Sequence, residues 1–82
     1  MKLLVGILLG LGTLFGMVDI NHADMKELTT LQGVGKGKAN KIIEYRKSNG
    51  CFQSVEGLMK VKGIGKGLFA KNRSNIKVTP CK

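Results

Sequence analysis

Acidic residues, histidine and cysteine are all scarce in this chain of 82 residues, and each shortage removes a class of function. Five Asp and Glu stand against 14 Lys and Arg. Asp19, Asp24 and Glu27 fall near the start of the charged part of the chain, and Glu44 and Glu56 stand far apart. Metal-assisted hydrolysis needs clustered carboxylates, and base excision needs a positioned acid or nucleophile. Neither set is present, and Asp24 with Glu27 three residues on is better explained as a helix cap. The chain therefore reads as a non-enzyme with no cofactor and no small-molecule substrate. A lone histidine, His22, and two cysteines outside any CxxC spacing provide no metal set either. His22 is expected on the surface. Hydrophobic runs are short as well: the uncharged stretch Leu3–Val18 has 16 residues, fewer than the ~20 a spanning helix needs.

What is present falls into two unlike pieces. In Leu3–Val18, 11 of 16 positions are apolar, and Lys2 precedes them. A basic residue followed by a leucine-rich run and then an acid, Asp19, is the pattern of a secretory signal peptide. Residues 1–18 are read as this leader, with cleavage between Gly16 and Asp19; a short uncleaved membrane anchor is the alternative. Residues 19–82 form the second piece, with 13 bases against 5 acids and a net charge of +8. It is too small for a large active-site cleft, and too apolar and periodic for a disordered tail. In an exported protein, Cys51 and Cys81 are candidates for a disulfide, and two free thiols are the alternative. The bond would close a loop across half the domain, worth roughly 3–4 kcal/mol in the chain-entropy account.

The second piece contains a repeat. Leu28–Ala39, LTTLQGVGKGKA, aligns with Leu58–Phe69, LMKVKGIGKGLF, at an offset of thirty residues. Leu28, Gly33, Gly35, Lys36 and Gly37 meet Leu58, Gly63, Gly65, Lys66 and Gly67, and Leu31/Val61 and Val34/Ile64 pair like with like. A repeat of this period indicates two copies of one supersecondary unit sharing a core. Each copy reads as helix, tight hairpin, helix. Asp24 opens the first helix, with Met25, Leu28 and Leu31 on one face. The second helix runs from Gly35 or Lys36 to Asn49, burying Ala39, Ile42 and Ile43, and Asn49-Gly50 ends it. Ser54 caps a third helix carrying Val55, Leu58 and Val61. The fourth, with Leu68, Phe69 and Ala70, fades before Ile76. Tyr45 and Phe52 are assigned to the core. Lys77–Lys82, with the single proline, reads as extended, and no alternating strand pattern appears. The fold class is all-α: a compact tandem helix-hairpin-helix domain.

The chemistry of the repeat lies in its backbone. Gly33 and Gly35 flank Val34, and Gly63 and Gly65 flank Ile64. Glycine permits positive φ and close approach of another backbone, while the apolar residue plugs the hairpin into the core. The turn then presents a helix N-terminus, whose first amides lack intrahelical partners and whose dipole favours an anion. Lys36 and Lys66 follow at once, and Lys38, Lys41, Lys62 and Lys71 thicken the basic patch. The candidate DNA-binding set is thus Gly33, Val34, Gly35, Lys36, Gly37, Lys38 and Lys41, with Lys62, Gly63, Ile64, Gly65, Lys66, Gly67 and Lys71. Two like anion sites, rigidly linked, suit a ligand that repeats its phosphates, and a nucleic acid backbone does so.

Leu-x-x-Leu-x-Gly-Val-Gly and Leu-x-x-Val-x-Gly-Ile-Gly resemble paired helix-hairpin-helix motifs. The wider string from Val18-Asp19-Ile20-Asn21 through Ile43-Glu44-Tyr45-Arg46 and Phe52-Gln53-Ser54-Val55 to Val61-Lys62-Gly63-Ile64-Gly65 resembles the ComEA family of competence DNA receptors. The resemblance covers about Val18 to Val78. It implies sequence-independent binding of double-stranded DNA, by hairpins gripping phosphates of both strands across the minor groove. It also implies a place in natural transformation, retaining incoming DNA in the periplasm, with other uptake components as further partners. Larger Gram-positive members add an anchor and linker, so the expectation here is the short periplasmic form. Three features depart from the family pattern. Asn72 and Arg73 replace Ile42 and Ile43, which predicts a shorter, less buried closing helix. Gly37 and Gly67 stand where helix formers are expected, at roughly 1 kcal/mol each. Cys51 and Cys81 fall outside the pattern. Two other readings compete: an accessory DNA-binding module of a repair or processing system, and a cationic membrane-surface protein, which would need an amphipathic face left over for lipid.

Overall fold

The computed structural model describes residues 17–81. Its elements run β1 (Val18–Asp19), α1 (Met25–Leu28), α2 (Lys36–Asn49), a 3₁₀ helix (Val55–Lys60), α3 (Lys66–Asn72), a 3₁₀ turn (Arg73–Asn75) and β2 (Ile76–Lys77). α1 packs on α2, and the long 3₁₀ helix packs on α3, so each repeat copy is a helix pair joined by a glycine hairpin. The predicted all-α class describes the body of the molecule. The exception is a two-residue parallel pairing of β1 with β2, in the register Val18↔Ile76 and Asp19↔Lys77. Two residues are too few to leave an alternating pattern in the sequence.

The capping box predicted at Asp24 is present. The Asp24 carboxylate accepts from the Glu27 amide at 2.8 Å, and the Glu27 carboxylate accepts from the Asp24 amide at 3.0 Å. The α-helix that follows is shorter than the apolar spacing suggests. It ends at Leu28 and continues as turns, in which Thr30 N–H donates to Glu27 and Leu31 N–H to Leu28. α2 has the predicted bounds and stops at Gly50, whose φ of +88° is a glycine conformation. The third helix is 3₁₀ rather than α, and Ser54 makes no side-chain cap bond. Gly57 holds this tighter coil against the Phe52 ring: a Cβ there would lie 3.1 Å from the ring edge.

The core is shared by both copies. The repeat's paired apolar positions are all buried, namely Leu28/Leu58, Leu31/Val61, Val34/Ile64 and Ala39/Phe69. Ile42, Phe52 and the terminal residues Val18, Ile20, Ala23 and Ile76 complete it. Phe52 is buried, and Tyr45, half-buried, stacks on it at 5.1 Å between ring centres and 10° between planes.

The chain ends are tied together by contacts that belong to neither copy. Asn21, buried, donates through its amide to the carbonyls of Phe52 and Thr79, and its oxygen accepts from Phe52 N–H. Arg46 reaches back from α2 to the carbonyls of Ile20 and Ala23 at 3.1 and 2.8 Å. Cys51 and Cys81 are disulfide-bonded, with Cα atoms 6.1 Å apart. Val18, assigned from the sequence to the end of the leader, is part of this folded body: it is 7% exposed and paired with Ile76. Residues 1–16 of the predicted leader lie outside the described residues.

Candidate nucleic-acid interface

The two hairpins have the same local structure. In the first, Val34 N–H bonds to the Leu31 carbonyl at 3.1 Å and Ala39 N–H to the Gly35 carbonyl at 2.9 Å. Thirty residues later Ile64 bonds to Val61 and Phe69 to Gly65, both at 3.0 Å. Burial repeats residue for residue from Leu31 to Asn40 and from Val61 to Ala70. Apolar residues one, four and nine of each stretch turn inward, the glycines and the lysine at position six turn out, and position eight, Lys38 or Leu68, is half-buried.

Within each turn the two glycines have different tasks. Gly33 and Gly63 take φ of +75° and +95°, in the left-handed region that side chains disfavour. Gly35 and Gly65, expected from sequence to share that conformation, are instead extended, with φ of −95° and −101°. They are the N-caps of α2 and α3, and a Cβ at either would meet nothing within 4 Å. Any L-residue can adopt this backbone. What glycine contributes there is an uncovered surface at the helix start, where the amides of Lys36, Gly37 and Lys38, and of Lys66, Gly67 and Leu68, precede the first intrahelical bond. A Cβ on Gly37 or Gly67 would likewise meet nothing within 4 Å beyond its own helix.

The lysines surround these openings. Lys36, Lys41, Lys62, Lys66 and Lys71 are exposed, while Lys38 is half-buried. Val34 and Ile64 are 4% and 3% exposed, so their side chains serve the site from beneath, by fixing the turn.

Reciprocal packing sets the two turns side by side. A Cβ on Gly33 would fall 2.6 Å from Leu68 Cδ1, and one on Gly63 would fall 3.8 Å from the Lys38 side chain. The thirty-residue offset converts one pair of positions into the other. Each hairpin therefore backs onto the start of the other copy's second helix, which is the signature of an approximate two-fold axis between them. Asn72 adds a one-sided tie. It belongs to a closing helix predicted to be less buried than that of the first copy, yet it is 2% exposed. Its oxygen accepts from Gln32 N–H at 2.8 Å and its amide donates to the Gln32 carbonyl at 3.0 Å, holding α3 against the first hairpin. Buried amides survive where both ends are hydrogen-bonded, as here. The closing helix is shorter, as the substitution predicts, with seven residues against fourteen. Nothing in an amino-acid string announces Asn72, Arg46 or Asn21 as ties, because their partners are backbone groups distant in sequence.

Among the described residues, no group of three or more His, Cys, Asp or Glu could hold a metal, and no helix is long and apolar enough to cross a membrane. His22 is exposed and sits beside Asp19, with Nδ1 to Oδ2 at 2.7 Å.

Residues 15–77 match the family model for the helix-hairpin-helix motif. The chain is 48% identical over 62 residues to ComE operon protein 1 of Bacillus subtilis, covering 76% of this chain and 30% of that one. It is 42% identical over 60 residues to an uncharacterized protein of Haemophilus influenzae, covering 72% and 54%. The human endonuclease/exonuclease/phosphatase family domain-containing protein 1 is 46% identical over 48 residues, which is 58% of this chain and 8% of that protein. The chain thus spans about half or less of the length of these relatives. With both hairpins inside the matched region, the chain belongs to the helix-hairpin-helix family and within it resembles the ComEA-like members.

Proposed function

We propose that this protein binds double-stranded DNA without sequence preference, through two phosphate-gripping hairpins, and retains incoming DNA in the periplasm during natural transformation. The observation that carries the reading is the reciprocal packing of Gly33 on Leu68 and Gly63 on Lys38. Two anion sites related by an approximate two-fold suit the two antiparallel strands of one duplex. The net charge of +8 beyond the leader supplies the counterion-release term that drives such binding. Short turns with buried Val34 and Ile64 offer few side chains to base edges, which favours backbone contact over readout.

The role is that of a binder: ligand is held by mass action and no bond of it is broken. The relation to endonuclease/exonuclease/phosphatase domain proteins supports no more, since the match covers under a tenth of them. Export is supported by the leader pattern and by the Cys51–Cys81 disulfide. The burial of Val18 favours processing ahead of it, at Gly16 or Met17, since a cut after Val18 would remove a core residue.

Gel shift over a salt series tests the reading. Neutralising ~4–6 phosphates gives a slope of log K against log salt of about −4 to −5. Lys36→Glu with Lys66→Glu is expected to weaken duplex binding by at least about 100-fold with an unchanged helical circular dichroism spectrum. Retained binding in that variant, or a strong preference for one duplex sequence, would overturn the proposal.

A further inference from the structure

The approximate two-fold is broken on one side of the hairpins. A groove of about 280 Å³ opens between α2 and the arm leading into the second hairpin, with Lys41, Glu44, Ser48 and Asn49 on one wall and Lys60 and Lys62 on the other. All six are exposed. Among the described residues none of the three lysines has a carboxylate within 4 Å, so their charge is not spent internally. Glu44 is engaged along its own helix, accepting from the Asn40 amide at 3.1 Å. The groove therefore combines three unpaired ammonium groups with a hydroxyl, an amide and the single carboxylate of Glu44, so that positive charge prevails by three to one.

The equivalent place beside the first hairpin is built differently. The thirty-residue offset puts Thr30 and Gln32 where Lys60 and Lys62 stand, and Lys71 and Ser74 where Lys41 and Glu44 stand. Thr30 donates its hydroxyl to the Glu27 carbonyl, and Gln32 is held at both backbone groups by Asn72. Here α3 ends at Asn72 after about two turns, so the third and fourth turns that form the far wall in α2 have no counterpart. One lysine remains where the other side has three.

We infer that the groove is a third phosphate site, taking the sugar-phosphate backbone of one strand beyond the hairpin contacts, so that the duplex is gripped asymmetrically. The inference rests on the DNA-binding reading and adds Lys60, which lies outside both hairpins. A lysine ammonium is a point charge suited to phosphate, and the groove runs on from Lys62 at the mouth of the second turn.

The test is duplex binding by Lys60→Gln, measured as affinity and salt slope on a ~20-base-pair duplex, with Lys77→Gln of β2 as the charge-matched control. The expected result for Lys60→Gln is a loss of about three- to tenfold and a slope shallower by about 1. Lys77→Gln should retain nearly full affinity. Thr30→Lys, which adds a lysine at the equivalent position beside the first hairpin, should tighten binding. Unchanged affinity and slope in Lys60→Gln overturn the inference, as does an equal loss in both glutamine variants, which would reduce the effect to net charge. The DNA-binding reading fails separately, through retained binding by the Lys36/Lys66 double variant.

Discussion

The first and second repeat copies share a turn and differ in nearly everything that holds it. Both turns have the same hydrogen bonds, the same burial and a glycine in the left-handed region at the same place. The arms diverge. The first copy has a capped α-helical turn before its hairpin and a fourteen-residue helix after it. The second has an uncapped 3₁₀ helix before and seven residues after. At the position where the first copy buries Ile42, the second buries Asn72. A two-residue glycine spacing around an apolar plug thus defines the turn locally, whereas the arms take whatever geometry the shared core and the neighbouring copy impose.

The largest test of this comparison is at the left-handed glycines. Alanine at Gly33 meets both an unfavourable φ and Leu68 Cδ1, while alanine at Gly63 meets the unfavourable φ and only a flexible lysine methylene at ordinary distance. Gly33→Ala is expected to cost about 2–4 kcal/mol and Gly63→Ala about 1–2 kcal/mol. Urea denaturation of the two variants checks this, and equal losses would remove the asymmetry inferred for the packing.

Asn72→Ile makes the second copy resemble the first in composition. If burial of apolar surface were all that mattered at this position, the variant would be more stable. The structure predicts the reverse, a loss of about 1–3 kcal/mol, because the Gln32 N–H and carbonyl lose their partners and the α3–hairpin tie is cut. The same denaturation measurement decides the sign.

A third test separates both copies from the tie between Asp19 and Thr79, whose amide and hydroxyl donate to the Asp19 carboxylate and which belongs to neither copy. Burial works to raise the Asp19 pKa, but it is outweighed by hydrogen bonds from the Thr79 hydroxyl, His22 and the amides of Asn21 and Thr79, and the carboxyl is held at about 2. A carboxylate whose folded pKa lies below its unfolded value of 3.8 stabilises the fold above that value. That stability is expected to be lost as pH falls from about 4 to about 2, amounting to at most about 2 kcal/mol. Thermal melts across this range should show the loss in the parent, and Asp19→Asn should flatten it while lowering stability at neutral pH.

Much of the candidate site's local structure was legible in residue order because its determinants are local. Gly33-Val34-Gly35 and Gly63-Ile64-Gly65 specify a turn through φ freedom and one plug, and Lys36 and Lys66 follow by adjacency. Asp24 and Glu27 likewise announce a cap that depends on nothing outside four residues. The different conformations of the two glycines in each turn were not legible, since glycine allows both and only the finished hairpin selects. Nor was the 3₁₀ form of Val55–Lys60, in which Gly57 packs on the Phe52 ring.

The amino-acid string by itself determined that there are two glycine turns and that each offers bare helix-start amides next to lysine. These follow from backbone stereochemistry and charge within a few residues. Tertiary structure decided that the turns lie side by side, that Asn72 and not an apolar residue closes the second copy, that Val18 joins the folded body, and that Lys60 and Lys62 face Lys41 across a groove. Each depends on groups tens of residues apart meeting in a shared core, and such meetings are fixed by packing rather than by any neighbour along the chain.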